Sequence, residues 1–270
     1  MVRVAAIQMV STANVSDNLS SAAQLIQEAV NDGAKFILLP EYFPIISDNP
    51  QDKVHIREAD GKGPIQEFLG QQAKQHSIWL MGGSIPLECG DESRVYNSCL
   101  LYNPQGQCVS RYEKMHLFDV YVDKEGKESY NESATIAAGD HTVIAETPFA
   151  KIGMSICYDI RFPELFRNML DEGITIITVP SAFTVTTGKR HWELLIRARA
   201  VENLCFVIAA NQGGQNTEHR ATWGHSMIID PWGDILASVD HGPGIACADL
   251  DLDHLLKIRN SFPALQHRKL

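Results

Sequence analysis

The chain has 270 residues, enough for one large domain or two small ones and for a core that buries most of the unfolded surface. Its 44% hydrophobic and 21% charged residues are ordinary globular values, which excludes disorder, collagen-like repeats and low-complexity sequence. With 23 Lys and Arg against 33 Asp and Glu the net charge is −10, which argues against a sequence-independent grip on nucleic acid or an anionic membrane.

The first residues, Met1-Val2-Arg3-Val4-Ala5-Ala6-Ile7, enter an apolar run without the long apolar region and cleavage site of a secretory signal. No stretch reaches the ~18 apolar residues of a spanning helix. The six cysteines are scattered and form no C-x-x-C pair, so reduced thiols and a cytoplasmic location are expected. No Cys/His cluster has zinc-ligand spacing, and no metal or cofactor is expected.

In chain order, residues 3–10 read as a buried strand. Leu19, Ala22, Ala23, Ile26, Ala29 and Val30 repeat at helical spacing within 17–31, and Gly33 ends that helix. Residues 35–39 form a second apolar strand that runs into Pro40-Glu41. Pro64 opens a helix over 64–76, and 78–81 is a third strand. Residues 95–102 and 107–112 flank Asn103-Pro104-Gln105-Gly106 and predict a hairpin. Residues 119–142 show little periodicity and read as a long functional loop. A second series follows: strand 151–157, a helix from near Pro163 to Gly173, strand 174–179, helix 190–203, strand 205–210 and a hairpin turning at 230–233. The two series share echoes such as Leu39-Pro40-Glu41-Tyr42-Phe43 beside Val179-Pro180-Ser181-Ala182-Phe183. With no Ser/Gly/Pro-rich linker between them, they predict a single domain over 1–270 with an internal pseudo-two-fold repeat of two α/β halves.

Three places depart from a plain core. Glu41 ends an apolar strand, where a carboxylate is costly unless paired or used; an exposed first loop residue is the competing reading. Cys157 stands between strand 152–156 and a helix start, where free backbone N–H groups favour the thiolate and the Tyr158 N–H can face an oxyanion. A buried inert cysteine is the competing reading there. Lys114 follows the first hairpin, and alternation puts it on one face with Tyr112 and His116; such a lysine is otherwise simply solvated.

Glu41, Lys114 and Cys157, each in its own context, together resemble the carbon–nitrogen hydrolase (nitrilase) superfamily, Nit amidase branch. The resembling segments include Leu38-Leu39-Pro40-Glu41, Tyr112 through Asp119, Gly153 through Glu164, Pro180-Ser181-Ala182-Phe183, Arg197 through Glu202 and Trp223-Gly224-His225-Ser226. The resemblance implies an α/β four-layer αββα sandwich, commonly a homodimer, and a small-molecule amide substrate. It implies Glu41 as general base, Cys157 as the nucleophile that forms a thioester, and Lys114 with the Tyr158 N–H as oxyanion donors. It also implies a second glutamate in the long loop. Glu128, in a Glu-Ser pair before Gly139-Asp140, fits that role, with Glu125 and Glu132 as neighbouring competitors.

The same resemblance implies the substrate. Tyr158-Asp159 after the cysteine disfavours a nitrile, and Arg161 would meet the carboxylate of a 2-oxo acid; a second-shell ion pair, for instance with Glu164, competes for that arginine. Phe183 and Thr184 are candidate pocket residues, and Tyr42 and Phe43 candidate apolar walls. Segment 44–60 is a candidate rim. Deaminated glutathione, cleaved to 2-oxoglutarate and cysteinylglycine, is favoured over 2-oxoglutaramate by the run Asn211 through His225. A papain-like cysteine hydrolase lacks its Cys–His setting here. An inactive binding protein of the same fold would be missing a catalytic position, and none is missing.

Overall fold

The computed structural model describes residues 1–122 and 128–269. Its strands are β1 (Val2–Gln8), β2 (Phe36–Leu38), β3 (Trp79–Met81), β4 (Ile85–Glu88), β5 (Val95–Tyr102), β6 (Cys108–Glu113), β7 (Asp119–Tyr121), β8 (Ser129–Asn131), β9 (Ile136–Ala137), β10 (Ile144–Glu146), β11 (Lys151–Met154), β12 (Ile176–Thr178), β13 (Phe206–Ala209), β14 (Met227–Ile229), β15 (Ile235–Ser238) and β16 (Gly244–Leu250). The helices are α1 (Val15–Asn31), α2 (Asp52–His55), α3 (Pro64–His76), α4 (Pro163–Leu170), α5 (Val185–Asn203) and α6 (Leu252–Ser261).

The strands form two large sheets. One runs β16-β1-β2-β3-β5-β4, with β6 and β9 added to β5; the other runs β10-β11-β12-β13-β14-β15. Both have the same plan. Three parallel strands, β1-β2-β3 and β11-β12-β13, are joined by helices and bordered on each side by antiparallel partners. The pseudo-two-fold expected from the sequence echoes is therefore present as topology.

Alternation along β1 shows how the layers stack. Val4 and Ala6 enter the core between the sheets, beside Ile152, Met154 and Ile176 of the second sheet. Ala5 and Ile7 point the other way, under Ala22, Leu25, Ile26 and Ala29 of α1 and Ile65 and Leu69 of α3. The second sheet is covered in turn by Leu165, Phe166 and Met169 of α4 and Trp192, Ile196 and Ala200 of α5. Layers therefore follow the order α-β-β-α. Burial on both faces is why the central strands read as unbroken apolar runs rather than alternating ones.

Local chemistry sets several boundaries. Asn14 caps α1 by accepting the Asp17 N–H at 3.3 Å. Helix α5 begins at Val185, earlier than the expected 190, because Thr184 accepts the Thr187 N–H at 3.2 Å. Helix α4 does start at Pro163, but the residues before it, Cys157–Arg161, form a 3₁₀ turn rather than its first turn. Segment 119–142 is not structureless: β7 pairs with β8, a 3₁₀ turn covers Glu132–Ala134, and β9 joins the first sheet. No helix among the described residues is long and apolar enough to cross a membrane.

Candidate active site

The chain is brought to one place by the ends of four strands. Glu41 lies just past β2, Lys114 directly past β6, Cys157 just past β11 and Ala182 just past β12. Carboxyl ends of parallel strands are where α/β sheets present their ligand crevices. Cys157 and Tyr42 both hold positive φ, 48° and 54°, although neither is glycine. Such a backbone costs about 1–3 kcal/mol and aims each side chain away from its strand.

Glu41 is 2% exposed and fully engaged. Its Oε1 accepts from Lys114 Nζ at 2.8 Å and Asn97 Nδ2 at 3.0 Å, and its Oε2 accepts the Ala182 N–H at 2.9 Å. Lys114, also 2% exposed, donates in addition to both carboxylate oxygens of Glu132 at 2.9 Å. Burial alone would pull the Lys114 ammonium down, but Glu132 and Glu41 together hold it well above the usual lysine range. It stays charged.

Cys157 is buried beside this cluster. Its thiol is pushed far up by burial first and by the Glu41 carboxylate second, and Lys114 and the Ala182 N–H offset only part of that. The expectation that the turn would favour a resting thiolate is therefore corrected. A five-residue 3₁₀ turn supplies too little positive potential to overcome desolvation next to a carboxylate. The Cys157 N–H is spent on the Pro180 carbonyl at 2.9 Å, whereas the Tyr158 N–H has no acceptor among the described residues.

The glutamate that meets Lys114 is Glu132, not Glu128. Glu132 Oε1 accepts the Tyr42 hydroxyl at 2.5 Å, and Oε2 accepts the Phe118 N–H at 2.7 Å. Burial would raise its pKa, but Lys114, Lys53 and these hydrogen bonds together lower it. Glu128 instead accepts from Tyr130 Oη at 3.1 Å and Thr186 Oγ1 at 2.7 Å, on the far wall of the same cavity. Three glutamates within eight residues of an aperiodic loop gave the sequence no means of choosing; the chain's return past Phe118 makes the choice. The third, Glu125, lies outside the described residues.

Asp159, read in the sequence only as a sign against a nitrile substrate, locks the nucleophile's turn. It accepts from Ile156 N at 2.8 Å, Tyr112 Oη at 2.7 Å and His116 N at 3.0 Å, and its Oδ1 lies 2.7 Å from His116 Nδ1. The Cys157 turn is thereby tied to the segment that carries Lys114. Tyr112 and His116, expected on the face of Lys114, serve this purpose.

These groups open into a cavity of about 390 Å³. Tyr42, Tyr158, Arg161, Phe183, Thr184, Lys53 and Arg220 line it, with residues 45–50 of the expected rim. Phe43 does not; it packs into the core under the helices, 6.4 Å from the Phe68 ring. The Arg161 guanidinium stands 5.6 Å from the Tyr158 ring and 5.4 Å from the Phe183 ring, with Nη1 3.3 Å from His191 Nδ1. Arg161 has no carboxylate partner among the described residues, so the pairing with Glu164 is absent. Thr184 both lines the cavity and caps α5. The arrangement offers a thiol, an adjacent carboxylate, a fixed ammonium, a free backbone N–H and unpaired cations around one apolar-walled space.

Comparison with known proteins agrees. The family model for carbon–nitrogen hydrolases matches residues 3–260. The chain is 43% identical over 267 residues to a deaminated glutathione amidase of Synechocystis, covering 98% of this chain and 97% of that protein. It is 38% identical over 269 residues to the omega-amidase NIT2 of Xenopus tropicalis, covering 99% and 95%. Among solved structures, Saccharomyces cerevisiae Nit3, a member of the nitrilase superfamily, superposes with a TM-score of 0.89 at 30% identity, covering 100% of this chain and 97% of that one. The chain belongs to the carbon–nitrogen hydrolase family and is a hydrolase of non-peptide carbon–nitrogen bonds.

Proposed function

We propose that the chain is a single amidase domain over 1–270 that cleaves the amide of a 2-oxo acid through a thioester on Cys157. Glu41 takes the thiol proton as Sγ attacks the amide carbonyl. Lys114 and the Tyr158 N–H hold the oxyanion. Glu41 returns the proton to the leaving nitrogen, and the amine departs. Glu41 then takes a proton from water, which attacks the thioester and restores the thiol. Glu132 keeps Lys114 placed and charged; Glu128 contributes at the cavity wall. The observation that carries this reading is the buried Glu41–Lys114–Glu132 cluster, which lines one cavity together with Cys157.

Arg161 anchors the 2-oxo acid carboxylate: it is an unpaired guanidinium fork on the cavity wall, beside Phe183 and Tyr158. The 43% identical relative is named for deaminated glutathione and the 38% identical one is an omega-amidase; the two substrates to compare are deaminated glutathione and 2-oxoglutaramate, the pair weighed in the sequence. We favour the first. Purified protein given each substrate should release 2-oxoglutarate faster from deaminated glutathione. Faster release from 2-oxoglutaramate would make the chain an ω-amidase, and release from neither would overturn the substrate assignment.

The chain works as a cytoplasmic homodimer, without nucleic acid, membrane, metal or cofactor. For the dimer the support is exposed apolar surface: Leu194 and Val201 stand seven residues apart on α5, Val201 lies beside Gly233, and the ring of the adjacent Trp232 lies 5.5 Å from the Phe262 ring. Sedimentation at micromolar concentration checks it; a monomer would contradict it.

A further inference from the structure

Four cations line the cavity, and among the described residues only Lys114 has carboxylate partners. Lys114 is spent on Glu41 and Glu132. Arg161 is accounted for by the acyl carboxylate. Lys53 and Arg220 remain, and neither makes an ion pair among the described residues. The Arg220 Nε is shut off from solvent and has no hydrogen-bond partner. A buried guanidinium N–H without an acceptor is costly, so it marks a place where an acceptor arrives from outside. Lys53 lies 4.6 Å over the Tyr42 ring, and burial pulls its ammonium down to about 8. Asp48, also in the lining, is engaged by the Thr217 hydroxyl.

The two groups of cations have different neighbours. Arg161 sits among Tyr158, Phe183 and His191. Lys53 lies over the ring of Tyr42, and Arg220 lines the same cavity with Tyr42 and Glu132. Tyr42 follows Glu41 in the chain and donates to Glu132. The leaving nitrogen must come within hydrogen-bond reach of Glu41 to be protonated. The leaving group therefore extends from Cys157 toward Lys53 and Arg220, while the acyl part extends toward Arg161.

We propose that Lys53 and Arg220 form a second anion-binding subsite, on the leaving-group side of Cys157, that takes the carboxylate of an amine leaving group. The site is then built for amides that carry an anion at both ends. This rests on the amidase reading above and deepens it, since ammonia leaving from a primary amide would use neither cation. It also explains why two positive side chains have no ion-pair partner among the described residues in a protein of net charge −10.

The test compares kcat/KM of the full chain for deaminated glutathione and for the same compound with its glycine carboxylate converted to a carboxamide. The free carboxylate should be preferred by about tenfold to a hundredfold, the worth of one or two charge-assisted hydrogen bonds. Arg220→Gln and Lys53→Met should each shrink that ratio toward one, and Arg220→Lys should restore part of it. Arg161→Gln should depress both substrates together and leave the ratio in place. Equal kcat/KM for the two substrates in the unmodified protein would overturn the subsite, and so would a ratio that survives in Arg220→Gln. The first of these needs no variant to fold. Release of no 2-oxoglutarate from either compound, or from 2-oxoglutaramate, would remove the substrate reading and the subsite with it, a result distinct from equal turnover.

Discussion

A buried thiol next to a carboxylate is a poor nucleophile until it loses its proton, and this sets the division of labour among the side chains. Burial and Glu41 keep Cys157 protonated at rest, so Lys114 does not act by preforming a thiolate. Its ammonium, held by two carboxylates, is instead placed to meet charge that develops on the substrate. The distinction can be measured. Glu41→Gln removes the base but also removes a negative charge that opposes the thiolate. With Glu41 as the proton acceptor, alkylation of Cys157 by iodoacetamide at pH 7 should slow by about tenfold or more, the lower end of a general base's contribution. Faster alkylation in that variant would mean that Lys114 alone sets the thiolate. Glu41 and Cys157 were legible in the sequence because each ends an apolar run, whereas Lys114, after the polar strand β6, stood out only through the resemblance that the three residues carry together. The protonation state was not legible, because it depends on desolvation and on the carboxylate that folding puts beside the sulfur.

At the scale of elements, the site is assembled by turns and one irregular loop. The Cys157 turn is pinned through Asp159 to the Tyr112–His116 segment, and the Glu132 turn is pinned by Phe118 and Tyr42. Breaking a buried charged network by removing one member is strongly destabilising. Glu132 also makes this pH-dependent. Its folded pKa lies below the unfolded value of about 4.3. The stability it adds is complete above that value and is lost as pH falls through the lower folded one. Glu132→Gln should therefore be less stable than the parent at pH 7, and the gap should close as pH falls from 5 toward 2, read by urea denaturation. A gap that stays constant across that range would contradict the assignment. Strand and helix positions were readable from periodicity, as α1 and α3 show. The choice of Glu132 over Glu128 was not, because it follows from where an aperiodic loop crosses back over the cavity rather than from any repeat. The early start of α5 has a local cause that periodicity does not carry: Thr184 both faces the cavity and caps the helix.

For the whole molecule, two halves of the same plan place their active groups at equivalent strand ends. Glu41 follows the middle parallel strand of one sheet, and Ala182, whose N–H binds Glu41, follows the middle parallel strand of the other. The echo between Pro40-Glu41 and Pro180-Ser181-Ala182 is thus visible in sequence and meaningful in space: the two segments meet. Face-to-face packing of the sheets brings Cys157 from one half against Glu41 and Lys114 from the other, so no half could form the site by itself. That convergence is the central claim, and an acyl-enzyme reports on it most directly. Protein mixed with deaminated glutathione and quenched in acid within one turnover should gain a single 2-oxoglutaryl group, located by peptide mass spectrometry on Cys157 and absent from Cys157→Ala. Hydrolysis that continues in Cys157→Ala, or an acyl group found on another residue, would contradict the account.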